Sequence, residues 1–383
     1  MSVTSPIGFR AAGVAAGLKD SGDPDVAIVI NDGPQLVAAG RFTSNRFQAA
    51  PVQWSREILA DGSLTAVVLN SGGANACTGT EGREDTRLTA EYAARLLECD
   101  ARDVAICSTG LIGVRLDLPR LLCGVDKAFS SANPDGGLAA ATAIMTTDTK
   151  PKQAALSSDG YRIGGMAKGV GMLAPEMATM LVVVTTDALI DVERARQSLS
   201  RAGARSFERI DSDGCMSTND TVLLLANGAS GVEPDPELFD AQLLEVCDSL
   251  ADQLIADAEG ATKEIRVNVI NAKSDSDAVV AARAIARSNL LKCAIHGNDP
   301  NWGRVLSALG TTSAVFDPNQ VDVAINGWWV CRDGAIGDDR SQVQMTGRHV
   351  SITVDLKAGQ SHGSIRTNDL TAEYVHENSA YSS

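Results

Sequence analysis

Residues 168–188 read KGVGMLAPEMATMLVVVTTDA, and the fold has to accommodate an unusual junction in this stretch. Glycine and proline permit an irregular backbone path through its first half. Thr179 then opens the apolar run MLVVV, which is typical of a buried strand. A threonine that begins a strand is ordinarily explained by β-propensity alone. The small Ala178 before it leaves its carbonyl accessible, and this favours a second interpretation, that the chain is cut between the two residues.

Self-cleavage at this point has a simple chemistry. A hydroxyl held over its own preceding carbonyl can attack it and move the acyl group from nitrogen to oxygen, and water then releases a new chain that begins with Thr179. The new α-amine, with an unperturbed pKa of roughly 7.7–8.0, is suited to act as a general base beside the hydroxyl. The stretch therefore predicts an enzyme with an N-terminal threonine nucleophile.

Around this junction, strand-like runs alternate with helical patterns. Apolar runs predict strands over 26–30, 65–69, 104–107, 180–184, 221–226, 265–270 and 350–356. Apolar residues at three- and four-residue spacing predict helices over 84–98, 243–260 and 274–291, and Gly260 is suited to cap the second. Some strands are separated only by turns, so we expect a layered α/β protein with mixed sheets. The polar stretch 271–277 predicts a smaller C-terminal α/β subdomain from about residue 273.

Composition excludes several classes of protein. A chain of 383 residues is long enough for two or three packed units. Its net charge of −15 and the absence of Lys/Arg-rich runs argue against nucleic acid and membrane surfaces as partners. The eight cysteines form no CxxC pair and the four histidines have no metal-ligand spacing, so no metal site is expected. The N-terminus does not resemble a signal peptide, and we expect a cytoplasmic protein that acts on small molecules.

Two further stretches have competing interpretations. The glycine-rich residues 163–172 lack the GK[ST] ending of a phosphate loop, and we interpret them as a flexible loop. The segment 104–114, VAICSTGLIGV, ends a predicted strand at Ser108-Thr109-Gly110. Backbone N–H groups at such a junction can form an oxyanion hole, although an ordinary turn has the same sequence.

The stretch KGVGMLAPEMATML resembles the processing site of the ornithine acetyltransferase family, the bifunctional glutamate N-acetyltransferases of arginine biosynthesis. The resemblance extends over nearly the whole chain, through the motifs NSGGANACTG (70–79), CSTGLIG (107–113), MTTDTKPK (145–152), STNDTV (217–222), IHGNDPNWGR (295–304) and HENSAYSS (376–383). It implies a layered α-β-β-α sandwich of the N-terminal-nucleophile type, with a segment 1–178 before the cleavage site and a segment 179–383 after it.

The resemblance also implies roles for individual residues. Cleavage falls between Ala178 and Thr179, Thr179 carries the acetyl group as an ester, and Thr109 with Gly110 forms the oxyanion hole. The amino-acid substrate is contacted by Thr147, Lys168, Thr179, Glu259, Asn378 and Ser383.

Taken alone, three of these residues would be assigned no role. Lys168 would be interpreted as a solvated lysine on a loop, and Glu259 as an exposed acidic residue in the last turn of a helix. Asn378 would be interpreted as part of a frayed tail. A substrate α-carboxylate nevertheless needs a cation such as Lys168. A substrate ammonium would offset the unfavourable helix dipole at Glu259.

The sequence departs from the family pattern at two positions. Gly73 stands in NSGGANA where asparagine is expected, which puts any side-chain contact there in doubt. Ser383 stands where threonine is common, a change that keeps the hydroxyl.

The expected reaction transfers the acetyl group of N-acetylornithine to glutamate, with no cofactor and no metal. Acetyl-CoA is a second donor if the enzyme also makes acetylglutamate directly. The two cleavage fragments are expected to stay together as a heterodimer and to assemble into a heterotetramer or larger. Two alternatives remain: an aminopeptidase or amidase in which water ends the cycle, and a non-catalytic homologue that binds small molecules. The intact Thr179 argues against the latter.

Overall fold

The computed structural model describes residues 2–158, 160–174 and 180–380, and these form two compact units. Unit 1 comprises the residues up to 208 together with 215–257, and unit 2 comprises 209–214 and 258–380. The polar stretch 271–277, where we expected a subdomain to begin, lies inside unit 2.

Unit 1 contains nine of the described strands and six of the described helices. The strands are β1 (Phe9–Val14), β2 (Val26–Asn31), β3 (Val37–Phe42), β4 (Ala66–Asn70), β5 (Val104–Ser108), β6 (Lys152–Ser157), β7 (Arg162–Lys168), β8 (Leu181–Thr186) and β9 (Thr221–Ala226). The helices are α1 (Ala50–Ile58), α2 (Gly79–Leu97), α3 (Leu118–Ser131), α4 (Gly137–Ala143), α5 (Val192–Arg205) and α6 (Pro236–Ala256).

The strands of unit 1 form two mixed sheets that pack face to face. One sheet has the order β1-β2-β4-β5 and the other β3-β9-β8-β7-β6. Successive side chains of a strand point to opposite faces of its sheet, so one face can pack on the second sheet while the other packs on helices. Ala27 and Val29 share a core with Leu181 and Val183 of the other sheet, whereas Ile28 packs towards α2 and α3.

Helices cover the outer faces of both sheets. Helices α2 and α3 pack on the four-stranded sheet, and α5 and α6 pack on the five-stranded sheet. Unit 1 is therefore an α-β-β-α sandwich, which confirms the predicted fold class.

Unit 2 is built on a single mixed sheet. Its strands have the order β13-β12-β11-β14-β10-β15, and its core is formed with α7, α8 and α9. The strands are β10 (Glu264–Ala272), β11 (Asp322–Ile325), β12 (Trp328–Arg332), β13 (Ala335–Ile336), β14 (His349–Asp355) and β15 (Ser361–Asn368). The helices are α7 (Asp275–Ala286), α8 (Asn289–His296), α9 (Trp302–Leu309) and α10 (Ala372–Ala380).

Two helix predictions need correction. The helix predicted over 274–291 is two helices, because the Ser288 side chain accepts a hydrogen bond from Leu291 N and starts α8 anew. The helix predicted to end at Gly260 ends at Ala256, and Gly260 instead lies in a turn with φ +60°. Within the described ranges, no helix is long and apolar enough to cross a membrane.

Candidate functional site

Thr109 lies directly after β5 and is almost completely buried. Its N–H donates to the Asn70 carbonyl (2.9 Å), and its own carbonyl accepts from Gly73 N (3.0 Å). Gly110 follows with φ +128°, and a Cβ there would lie 2.8 Å from Gly73 N, so both the conformation and the space require glycine. Gly73, the departure from the family pattern, thus contacts the predicted oxyanion-hole residue through its backbone.

Lys168 lies at the end of β7 with 2 % of its surface exposed, so its interpretation as a solvated loop residue is wrong. The interpretation of 163–172 as a flexible loop is wrong for the same reason, since 163–168 form a buried strand. Gly164 is required by the close approach of the Ser2 backbone and not by flexibility, because a Cβ at this position would lie 2.1 Å from the Ser2 carbonyl oxygen. The Lys168 ammonium donates to Thr109 Oγ1 at 3.2 Å. The structure thus joins two of the predicted site residues.

Behind Lys168 lies a buried network of ion pairs. The Lys152 ammonium lies 2.6 Å from both Asp148 Oδ1 and Asp257 Oδ2, and the three side chains are almost completely buried. Asp148 Oδ1 also accepts from Gly169 N at 2.8 Å, so it holds the backbone directly after Lys168. The network contains two lysines and two aspartates, so their opposite charges offset part of the cost of burying them.

The protonation of Asp148 reflects this network. Burial by itself raises the pKa of the carboxyl, but the charges of Lys168 and Lys152 and the hydrogen bonds from Lys152 and Gly169 N outweigh it and lower the pKa to about 2. The carboxylate is therefore the ground state at neutral pH, and it keeps a negative charge against Lys168.

We expect Asp148→Asn to lower the free energy of unfolding by about 3 kcal/mol at pH 7, because it removes one partner of a buried pair. The folded-state pKa lies below the unfolded value, so this stabilisation is present above about pH 4 and is lost as the pH falls towards 2. Urea denaturation of variant and wild type should therefore show a smaller difference at pH 3 than at pH 7. Asp61→Asn, at an exposed turn, is the matched control and should change stability little at either pH. A difference for Asp148→Asn that does not depend on pH would contradict the assignment.

Two predicted substrate contacts lie together in unit 2. Asn378 is part of α10, not of a frayed tail, and its Nδ2 donates to Glu259 Oε2 at 3.1 Å. Glu259 lies in a turn after α6 and not in the last helical turn, so the helix-dipole argument does not apply to it. Burial, followed by the charge of Glu259, raises the pKa of Glu377. The acidic side chains of Glu259 and Glu377 suit the binding of a cationic group of a ligand.

Glu259 also lines a cavity of about 400 Å³ within unit 2. Lys292 lies in its wall, donates to the Ser212 carbonyl, and is 5 % exposed. Burial lowers the pKa of this lysine. Arg287, also in the wall, pairs with Asp211 (2.7 Å). The cavity therefore offers both signs of charge, as an amino acid requires.

The remaining predicted residues are placed as follows. Thr147 is exposed in the turn that precedes Asp148. Thr179, Ala178 and Ser383 lie outside the described residues. Cys107 is a buried thiol, and burial raises its pKa to about 12. No cluster of potential metal ligands occurs in the part of the chain that the structure describes.

Sequence reasoning missed the residues that support Lys168. Asp148 and Lys152 both occur in the motif MTTDTKPK, and their four-residue spacing is a weak signal of a pair. Asp257 lies more than 100 residues further along the chain and no local pattern connects it with them.

The chain is similar to known proteins in its sequence. A sequence model of the ArgJ family matches residues 10–383. The arginine biosynthesis bifunctional protein ArgJ of Thermobifida fusca is 60% identical over 382 residues, which cover 100% of both chains. The solved arginine biosynthesis bifunctional protein argJ of Bacillus halodurans is 35% identical, with a TM-score of 0.50, and covers 51% of this chain and 97% of its own. The ornithine acetyltransferase of Mycobacterium tuberculosis, solved with ornithine, is 53% identical, with a TM-score of 0.45, over 47% of this chain and 96% of its own.

Proposed function

Because the chain belongs to the ArgJ family, we propose that it is a self-processing glutamate N-acetyltransferase of arginine biosynthesis. It moves the acetyl group from N2-acetylornithine to glutamate through an ester on Thr179. The geometric observation that carries the proposal is the buried contact of Lys168 with Thr109, which places a cation and a hydroxyl together where acyl chemistry needs both.

The reaction has two half-reactions that share one oxyanion site. Thr179 Oγ attacks the acetyl carbonyl, its proton passes to the α-amine, the C–N bond to ornithine breaks, and the departing nitrogen takes the proton. The neutral amine of glutamate then attacks the ester, the α-amine of Thr179 takes a proton from the attacking nitrogen, and that proton passes to Thr179 Oγ1 as the C–O bond breaks. In both halves the Thr109 hydroxyl and Gly110 N–H donate to the oxyanion, where preorganised donors act most strongly.

Charged residues select the substrate. Lys168, buried and ionically supported by Asp148, is assigned to the α-carboxylate, which donor and acceptor both carry. Glu259 suits the ammonium of the ornithine side chain, and Asn378 holds Glu259 in place. Thr147 and Ser383 supply further polar contacts to the amino acid.

The proposal extends to processing and assembly. Cleavage gives segments 1–178 and 179–383, which remain together as a heterodimer and assemble into a heterotetramer or larger. The solved Bacillus halodurans chain corresponds to about half of this chain, as a break near the middle would produce. The acetyl group is carried by Thr179 itself, so the transfer requires no metal or bound cofactor. The word "bifunctional" in the name of the Thermobifida fusca relative fits acetyl-CoA as a second donor. We place the enzyme in the cytoplasm with the rest of amino-acid biosynthesis.

Steady-state kinetics test the acetyl-enzyme. With N-acetylornithine and glutamate varied together, we expect parallel double-reciprocal lines, because ornithine leaves before glutamate reacts. Intersecting lines would contradict the covalent intermediate. Release of free acetate faster than acetylglutamate would instead favour the aminopeptidase or amidase alternative, in which water ends the cycle.

A further inference from the structure

The motif STND at 217–220 has no role in the proposed reaction, yet its last two side chains are almost completely buried. Asn219 and Asp220 immediately precede β9. Both make hydrogen bonds to backbone groups far away in the sequence. Buried polar side chains that bind backbone in this way hold chain segments in place.

Asn219 holds the segment that leads into the oxyanion site. Its Nδ2 donates to the Ser108 carbonyl at 2.8 Å and to the Ala74 carbonyl at 2.6 Å. The Ser108 carbonyl belongs to the peptide bond that joins Ser108 to Thr109, so the position of Thr109 follows that of Asn219. The Asn219 Oδ1 accepts from the Thr218 hydroxyl at 2.6 Å, which fixes the orientation of the amide.

Asp220 holds the segment that follows the cleavage position. Its Oδ1 accepts from Met180 N at 3.2 Å, and the next residue, Thr221, donates from its N–H to the Met180 carbonyl at 3.1 Å. Both backbone groups of Met180 are therefore bound by two consecutive residues. Met180 is bonded directly to Thr179, so its position constrains the nucleophile.

The surroundings of the Asp220 carboxyl favour its neutral form. Burial raises its pKa well above the ordinary value, although the hydrogen bonds from Met180 N, Ser217 and Thr43 and the charge of Lys168 act in the opposite direction. Its Oδ2 is buried and has no hydrogen-bond partner among the residues that the structure describes. An asparagine at this position would keep an oxygen acceptor for Met180 N and would carry no charge.

We propose that Asn219 and Asp220 are positioning residues, which together set the separation between the oxyanion-hole residue Thr109 and the residue that follows the nucleophile. The Cα atoms of adjacent residues are about 3.8 Å apart. Because Asn219 holds the segment that enters Thr109 and Asp220 holds Met180, these two segments have little freedom to move relative to each other. The inference rests on the proposed function, because it assigns the 178–179 bond as the cleavage position and Thr109 to the oxyanion site. Effective acyl transfer requires this accuracy, since a displacement of about 1 Å can cost about 10²-fold in rate.

Time courses of cleavage of the full chain during cell-free translation test the proposal. We expect Asp220→Ala and Asn219→Ala each to slow the appearance of fragments about 10-fold or more, and Asp220→Asn to stay within about 3-fold of the wild type. In material that is fully cleaved, the two alanine variants should lower kcat with little change in KM, because they displace reacting groups without touching the substrate.

Asn227→Ala is the matched control. Asn227 is buried just beyond the opposite end of β9, donates to the Ile7 carbonyl (2.8 Å) and accepts from Ala229 N (3.0 Å). Its replacement should lower the Tm as the other alanine variants do, but should leave the cleavage rate unchanged. If Asp220→Ala does not fold, judged by its Tm, Asn219→Ala supplies the same comparison.

Two results would overturn the positioning role. One is cleavage of a folded alanine variant at the wild-type rate, and the other is an Asp220→Asn variant as impaired as Asp220→Ala, which would require the carboxyl itself. A wild-type chain that neither cleaves nor transfers acetyl would instead contradict the proposed function, so the two failures are distinguishable.

Discussion

Thr179→Ala is expected to give one intact chain of 383 residues without acetyltransferase activity. The wild type should give fragments of 178 and 205 residues, and the larger should begin Thr-Met-Leu-Val. Alanine lacks the hydroxyl that attacks the preceding carbonyl, so neither cleavage nor the acetyl ester can form. The loss of activity should be total within detection, because both half-reactions pass through this oxygen. Denaturing electrophoresis, N-terminal sequencing and an acetylglutamate assay measure the three outcomes.

Two variants serve as controls for this loss. Thr179→Ser keeps a hydroxyl and should retain some cleavage. Thr185→Ala removes the hydroxyl of a threonine in β8, and that hydroxyl donates to the Val3 carbonyl at 2.5 Å. This variant should cleave normally. An uncut Thr179→Ala chain with wild-type activity would contradict the mechanism.

Thr109→Ala is expected to lower kcat about 10²–10³-fold, which corresponds to roughly 2.7–4 kcal/mol of transition-state stabilisation. The Thr109 hydroxyl accepts from Lys168 and still has a proton to donate to an oxyanion. The variant loses that donor but keeps Gly110 N–H and the charge of Lys168. KM should therefore change much less than kcat.

The measurement requires enzyme that has been verified as fully cleaved, since processing passes through a tetrahedral oxyanion of its own. Ser108→Ala is the matched control, because Ser108 is the buried neighbour of Thr109 and its hydroxyl donates to Asn70 Oδ1 (2.5 Å) instead of contacting Lys168. It should reduce stability with little effect on kcat. A kcat for Thr109→Ala within a few-fold of the wild type would mean that the oxyanion is stabilised elsewhere.

Local sequence determined five strands of unit 1, which are β2, β4, β5, β8 and β9, and it determined the fold class. The run TVLLLA predicts a strand at 221–226, and β9 has those bounds. Each of these five strands is a largely apolar run that is buried along its whole length, and such a run is visible without knowledge of its neighbours. Family-specific motifs, spread over nearly the whole chain, were enough to identify the reaction.

Only the tertiary structure decided the burial and the partners of the site residues. Lys168 reads as a surface lysine because nothing near it in the sequence neutralises its charge. In the fold it is buried beside Thr109, and Asp148, itself paired with Lys152, supplies the counter-charge. Asn219 and Asp220 likewise form an ordinary turn sequence until Ser108 and Met180 are brought to them. Burial and ion pairing are properties of segments that meet in space, and local periodicity carries no information about which segments those are.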